Sequence, residues 1–299
     1  MTTRRRVLTI LAGAAALPFL GAKVQANVAR WQGTALGARA QIVLDHPKAD
    51  QLISMAVSEI IRLEGIFSLY RNDSQLSRLN RDGALVDPAF EMIELFSICT
   101  GLHIRTKGAF DPTVQTLWAL YAKEISASST PTAQQISEAL AVTGWEHVSY
   151  SASKVSFDRS GVMLTLNGIA QGYIADKISA LFRREGVENV LINTGEISAV
   201  GHAPDGNAWQ IKRAGSDGPE IALRNMSVAT SSPLGTTFDD AGSIGHILDP
   251  RSGYPNGKWS KISVVSHKAA LADGLSTAFC LMSKAAINAA KEYEQVFLN

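Results

Sequence analysis

Cysteine is close to absent: Cys99 and Cys280 are the only two in 299 residues. Neither has a His or a second Cys at ligand spacing, which argues against a zinc site and against thiol catalysis. Both lie in apolar, helix-like runs, so one disulfide in an oxidising compartment and two separate buried thiols are equally open readings. A basic excess is also missing. Lys and Arg number 28 against 27 Asp and Glu, a formal net charge of +1, so nothing in the charge balance points to nucleic acid. No apolar run is long enough to span a membrane: the stretch 8–20 falls short of the ~20 residues a spanning helix needs, and no second candidate follows. Repeats and low-complexity linkers are lacking, and no clean domain boundary shows. What remains is an ordinary globular composition, 46% hydrophobic and 18% charged.

The first 26 residues read as an export signal. Thr3-Arg4-Arg5-Arg6-Val7-Leu8 places paired arginines ahead of the apolar stretch, and Val24-Gln25-Ala26 offers small residues at cleavage spacing. The paired arginines fit the twin-arginine route, which carries folded proteins, and Lys23 near the cleavage point leans the same way. No Cys lies there, which excludes a lipid-anchored form. The expectation is a periplasmic protein without stable membrane insertion, its working domain spanning 27–299.

Hydrophobic periodicity predicts helices over 51–67, 88–104, 113–123, 131–141 and 170–184, with a last helical region from Ala269 onward. Asp111-Pro112 is a helix-start signal ahead of the third. Short strands are predicted over 147–150, 154–157, 162–166, 189–193, 209–212, 227–230, 245–248 and 262–266. The polar, Ser-rich stretch 124–132 reads as a surface loop. Long helices mixed with short strands give an α+β class with largely antiparallel sheet. One parallel crossover is expected around the 170–184 helix.

Four segments carry possible chemistry. In the first, residues 164–173, a strand enters a helix through Gly168 and Gly172. Glycines there let backbone approach a ligand, and a helix N-terminus favours an anion; a ligand-free tight turn fits as well. In the second, Asp273 and Thr277 stand four apart on one helix face. They could offer oxygens to a hard cation, though one carboxylate binds such an ion poorly without carbonyls and ligand phosphates. The alternative is Asp273 capping the helix. In the third, residues 245–255, His246 is the side chain best suited to move a proton near neutral pH. Arg251 could hold a phosphate or simply pair with Asp249. The fourth, Ala229-Thr230-Ser231-Ser232-Pro233-Leu234-Gly235, reads by itself as a loop.

In this order, the four segments resemble the ApbE family, the FAD:protein FMN transferases. The resemblance covers nearly the whole mature chain. It begins at Gly33-Thr34-Ala35-Leu36-Gly37-Ala38, continues through the aromatic-to-Asn segment from Phe67 to Asn80, and is close at Gly108-Ala109-Phe110-Asp111-Pro112-Thr113. It implies an ApbE-like single domain with mixed, largely antiparallel sheets and flanking helices. It implies a Mg²⁺ held by Asp273, Thr277, Ser276 and a backbone carbonyl near Gly168. FAD, as substrate, would lie against Leu36, Tyr70, Ala109, Phe110, Asp111, Thr165, Gln171, Thr230 and Arg251. His246 would be the base that deprotonates an acceptor Thr or Ser, with AMP leaving.

The chain departs from the family pattern at several points. Thr165 stands where many members carry Asp, and Gln171 where many carry Lys or Glu. Gly195-Glu196-Ile197 replaces Gly-Gly-Asp, and Leu36 and Ala38 replace Met and Thr. The turn and the Ser231-to-Thr236 stretch look like the exported NosX-type branch, linked to nitrous oxide reductase maturation, whose implied partner is the acceptor flavoprotein of a membrane electron-transfer system. Two other activities fit the same residues: FAD hydrolysis to FMN and AMP, and flavin binding without catalysis by a maturation factor.

Overall fold

A computed structural model describes residues 28–212 and 219–299. The export signal expected over 1–26 lies outside the described residues. No described helix is long and apolar enough to cross a membrane.

The chain opens with a hairpin, β1 (Val28–Ala35) and β2 (Ala38–Asp45), joined by a two-residue turn. Both turn residues have positive φ, Leu36 at 48° and Gly37 at 82°. That is the geometry two-residue hairpin loops favour, and it is uncommon for a leucine. Helices α1 (Ala49–Phe67) and α2 (Gln75–Asp82) follow, then β3 (Ala84–Val86), α3 (Phe90–Arg105), α4 (Gln115–Ser126), α5 (Ala133–Leu140), β4 (Val148–Tyr150) and β5 (Lys154–Phe157). The second half carries α6 (Ala170–Arg184), β6 (Val190–Asn193), β7 (Ile197–Val200), β8 (Trp209–Ile211), β9 (Ile221–Leu223) and β10 (Met226–Ser231). It closes with β11 (Ile262–Ser266), α7 (Ala269–Phe279), α8 (Lys284–Ala290) and β12 (Gln295–Leu298).

Seven strands form the main sheet in the order β1-β2-β6-β7-β10-β11-β12, and every pairing is antiparallel. One face is covered by helices. The large core there joins Ile42 and Leu44 of β2, Leu63 and Phe67 of α1, Phe96 of α3, Ile174 and Ile178 of α6, and Leu275 and Phe279 of α7. The other face is covered by the β8–β9 hairpin, whose Trp209, Ile211, Ile221 and Leu223 pack on Val43, Leu191, Ala199 and Val228. A third cluster, Leu117, Tyr121, Ile136 and Leu248, fixes α4 and α5 against the segment that carries His246.

Three sequence expectations give way. The predicted parallel crossover is absent from the described residues, because β6 pairs antiparallel with β2 and β7. Residues 162–166 form no strand. Val162, Leu164 and Leu166 are buried in alternation, but their backbone has no ladder. Instead Asn80 grips Leu164 at both ends, its Nδ2 donating to the carbonyl at 2.8 Å and its Oδ1 accepting the N–H at 2.7 Å, and Thr165 N–H donates to Pro112 O at 2.9 Å. Residues 245–248 are likewise irregular, held only by isolated bridges from Gly245 to Thr237 and from Leu248 to Pro255. Both cysteines are free, buried thiols. Burial pushes the Cys280 thiol up to about 12 and raises Cys99 as well, so both stay protonated.

Candidate active site

The site forms where the N-terminal end of α6 meets the middle of α7. The two helices approach closely because Gly172 has no side chain: a Cβ there would lie 2.3 Å from the carbonyl oxygen of Ala269. Asp273 does not cap its own helix. It sits inside α7 and reaches across to α6, where its Oδ2 accepts the Gly172 N–H at 3.0 Å. Its Oδ1 accepts no hydrogen bond among the described residues. The cap of α7 comes from Asp176 of α6, whose two oxygens accept the N–H groups of Ala269 and Ala270 at 2.9 and 3.1 Å.

Asp273 is 3% exposed. Burial, with the charge of Asp176 adding to it, pushes its carboxyl up to about 7 against the opposing pull of the Gly172 N–H. A second buried carboxylate stands nearby. Glu196, in the loop between β6 and β7, is raised well above the usual range by burial and then by Asp273, while the Thr230 N–H it accepts at 3.1 Å pulls the other way. No Lys or Arg offsets either charge among the described residues. A buried anion is stable only when paired, protonated or bound to a cation.

Hydroxyls complete the cluster. Thr277 lies one helical turn beyond Asp273, and a Cβ placed on Gly168 would sit 3.0 Å from its Oγ1, so the Gly168 backbone faces that hydroxyl directly. Ser231, at the end of β10, lies 2.7 Å from the Ser276 Oγ and 3.3 Å from the Thr277 Oγ1. Ser276 donates to the Asp273 carbonyl at 3.0 Å. Its hydroxyl therefore ties Ser231 to the helix backbone, which makes it a brace. The open carboxylate oxygen of Asp273 and the Thr277 hydroxyl, which the Gly168 backbone faces, offer oxygen donors in a buried place. That chemistry fits a hard cation such as Mg²⁺ with further oxygens from a phosphate ligand. No cluster of three or more His, Cys, Asp or Glu forms a separate metal site among the described residues.

His246 is carried on an irregular hairpin. Its own N–H and that of Phe238 close onto Thr236 and Ile244 carbonyls, and Asp239 accepts the N–H groups of Ser243 and Ile244. The ring Nδ1 faces the Thr236 carbonyl at 2.9 Å. A carbonyl only accepts, so this contact favours the neutral tautomer that carries its proton on Nδ1. Burial lowers the imidazole pKa, outweighing the lift from the Thr236 and Pro233 carbonyls. The loop holding those carbonyls follows directly from Ser231, which ties the histidine to the hydroxyl cluster.

The residues expected at the flavin divide into groups. Leu36 tips the β1–β2 hairpin, its N–H held by the Glu64 carboxylate at 2.7 Å. Tyr70 is 49% exposed and its ring flanks the same turn, 3.5 Å from a Cβ placed on Gly37. Partial burial raises its phenol, and a hydrogen bond with Asn167 opposes that, linking it to the Gly168 turn. Thr165 braces that turn by accepting the Asn167 N–H at 3.2 Å. Ala109 and Phe110 are buried in the main core.

Asp111 is a structural hub. Its Oδ1 accepts the Thr113 N–H and hydroxyl at 2.9 and 2.6 Å, its Oδ2 accepts the Trp145 N–H at 3.0 Å, and His103 stands 3.3 Å away. Asp111 in turn raises the His103 pKa, with burial opposing. Gln171 is buried with its amide against Gly195. Thr230 lies apart from the cluster. Its hydroxyl meets Ser263 at 2.9 Å on the face of β10 opposite α7, and only its backbone bonds Glu196. Arg251 pairs with Asp249 through two bonds of 2.8 and 2.7 Å, and its stem lies beside Gly108.

Sequence reasoning did not single out Asp176, Glu196 or Ser231 as site residues. Each acts through a partner 34 to 94 positions away, which local spacing does not display. The signals available were the departure at Gly195-Glu196-Ile197 and the place of Ser231 in the Ala229-to-Gly235 segment.

The order of these parts along the chain is that of a known protein family, whose sequence profile matches residues 33–297. The chain belongs to the ApbE family. Among curated relatives, an FAD:protein FMN transferase of Vibrio cholerae is 28% identical over 246 residues, covering 77% of this chain and 72% of its own. An FAD:protein FMN transferase of Chlamydia muridarum is 30% identical over 72% of this chain and 71% of its own. Among solved structures, the apo form of the Pseudomonas stutzeri flavinyl transferase ApbE superposes with a TM-score of 0.79 at 28% identity, over 91% of this chain and 90% of its own. The ApbE fold therefore accounts for the all-antiparallel sheet and its helical cover.

Proposed function

We propose that this ApbE-family chain is a Mg²⁺-dependent FAD:protein FMN transferase. It moves FMN from FAD to a Thr or Ser hydroxyl of a membrane electron-transfer protein on the periplasmic side and releases AMP. The observation that carries this reading is Asp273: a buried carboxylate with an open oxygen and no cationic partner, set among hydroxyls at the start of α6. That place would suit a divalent ion that draws its remaining ligands from phosphate oxygens. When bound, the ion neutralises charge on the phosphate oxygens.

The chain's own groups supply the rest. The α6 N-terminus beyond Gly168 presents backbone toward the anion. Asp273 and Thr277 hold the ion's place, and Ser276 with Ser231 keeps that wall rigid. His246 takes the acceptor hydroxyl proton on Nε2. The oxygen so freed forms the new bond to the FMN phosphorus, the bond from that phosphorus to the AMP oxygen breaks, and AMP leaves with the electron pair. Tyr70 and the Leu36 turn form an exposed aromatic and apolar ledge that suits the flavin.

One experiment tests the reading. The protein lacking residues 1–26 is mixed with FAD, Mg²⁺ and a Thr-containing peptide, and peptide mass and AMP are followed together. Transfer gives an FMN-sized mass gain matched by AMP. AMP without peptide labelling would make the chain a hydrolase, and bound FAD with neither product would make it a carrier. The twin-arginine signal supports the compartment; fusing residues 1–26 to a reporter that is exported only when folded tests it.

A further inference from the structure

A half-open cleft of about 410 Å³ lies beside the histidine segment. Pro233 and Leu234 form one wall, Lys258 and Trp259 the other, and Gly245 and Ile247, the two neighbours of His246, line it between them. The walls are firm. Ser232 Oγ donates to the Ser260 carbonyl at 2.8 Å, tying one to the other, and the Trp259 indole N–H is fixed on the Met282 carbonyl at 2.9 Å. A Cβ on Gly245 would lie 2.3 Å from the Pro233 carbonyl oxygen, so the cleft keeps its form only with glycine there.

None of the residues expected to contact FAD lines this cleft. Its surface is mixed: proline, leucine, isoleucine and tryptophan, with serine hydroxyls at the edge. Leu234 is 59% exposed at the rim. Lys258 is the one charged residue in the lining, and it belongs to no ion pair among the described residues. Asp249, whose carboxyl feels that charge, is already bonded to Arg251. A single unpaired cation beside apolar walls complements an acidic polypeptide better than a second nucleotide, which would bring two phosphates and meet one lysine.

We propose that this cleft seats the acceptor protein as an extended, acidic segment. An apolar side chain of that segment packs on Leu234 and Trp259, a carboxylate next to the reactive residue pairs with Lys258, and the Thr or Ser hydroxyl reaches His246. This inference rests on the transferase reading and adds to it the recognition of the second substrate.

The test uses the mature protein with FAD and Mg²⁺, and three fluorescein-labelled Thr peptides that differ only in whether the flanking residues are Asp, Ser or Lys. Binding is read by anisotropy, and FAD affinity by flavin fluorescence. The Asp peptide is expected to bind about tenfold more tightly than the Lys peptide. Lys258→Glu should reverse that order, Leu234→Asp should weaken all three, and neither variant should alter FAD affinity. Equal binding of the three peptides, no binding of any, or an unchanged order in Lys258→Glu overturns the proposal. A change in FAD affinity in either variant also overturns it, and makes the cleft a nucleotide subsite. Failure of the transferase reading shows separately: the Asp peptide binds with this charge preference yet gains no FMN mass.

Discussion

Asp176 and Asp273 each cap the other's helix. Asp176, from α6, accepts the first two N–H groups of α7, and Asp273, from α7, accepts the Gly172 N–H at the start of α6. Helix ends leave N–H groups unpaired, and here two helices meeting at their N-terminal ends satisfy each other. The arrangement concentrates two carboxylates in one buried place, which disfavours both charges.

The first prediction concerns the member of this pair that is only structural. Asp176→Ala strips the acceptor from two α7 N–H groups and should cost about 1–2 kcal/mol in urea unfolding. Asp176→Asn retains an acceptor oxygen and should cost less. Equal losses in the two variants would count against a capping role.

The second concerns the cation. Mg²⁺ that binds only the folded protein should raise its Tm, by the equivalent of about 2.7 kcal/mol at a hundredfold excess over Kd. Asp273→Asn removes the anionic ligand while keeping a hydrogen-bond acceptor for Gly172, so the Mg²⁺-dependent rise should vanish while the fold persists. Scanning calorimetry with and without Mg²⁺ reads this without any turnover. A rise of wild-type size in the variant would place the ion elsewhere.

Gly172→Ala is the third. The added Cβ would meet the Ala269 carbonyl at 2.3 Å, a backbone atom that cannot swing aside. α6 and α7 must separate, at about 1–3 kcal/mol for overpacking and with loss of the site between them. Gly168→Ala is the contrasting case. Its neighbour is the Thr277 hydroxyl at 3.0 Å, so stability should hardly change while Mg²⁺ binding weakens.

The fourth prediction is a pH dependence. Burial depresses the His246 pKa below its ordinary value of about 6.5. The ring is then neutral at pH 7 and ready to accept a proton, so the acid limb of kcat/KM should fall below pH 6.5. The stability effect has the same sign. Above about pH 6.5 both states are neutral and the contribution is intact. As pH falls through 6.5 toward the folded value the unfolded chain binds the proton first, and stability is lost. His246→Gln should abolish this loss and slow transfer roughly 10²- to 10⁴-fold. An acid limb that persists unchanged in His246→Gln would falsify the assignment.

Much of this was legible in the sequence, for identifiable reasons. Helix α6 matches its predicted span from Ala170 to Arg184 because its apolar residues keep one helical face. Asp273 and Thr277 lie one turn apart on α7, as their spacing predicts, and the Gly168 backbone faces the Thr277 hydroxyl. The failures are equally physical. Alternating burial at Val162, Leu164 and Leu166 looks like a strand, but alternation reports which side chains face the core, and here Asn80 does what a neighbouring strand would do for the backbone. The β1–β2 hairpin escaped notice because its turn is Leu36-Gly37, without the Asn or Asp that marks such turns. Thr230 was chosen over Ser231 within one motif; in a strand, adjacent residues face opposite sides, and the register put Ser231 toward α7. Asp176 carried no local mark at all, since its worth lies in a helix that begins 93 positions later.

The strand order has a consequence for synthesis. β2 sits beside β6, so the hairpin made first must wait for the middle of the chain. Asp273, Ser276 and Thr277 lie on α7, which packs against β10 and β11 and so docks only after they exist. A chain released before α7 is made therefore has the β1–β2 hairpin but neither Asp273 nor Thr277. The wall that carries Asp273 and Thr277 is thus the last part of the site to be laid down, long after the Gly168 turn it faces.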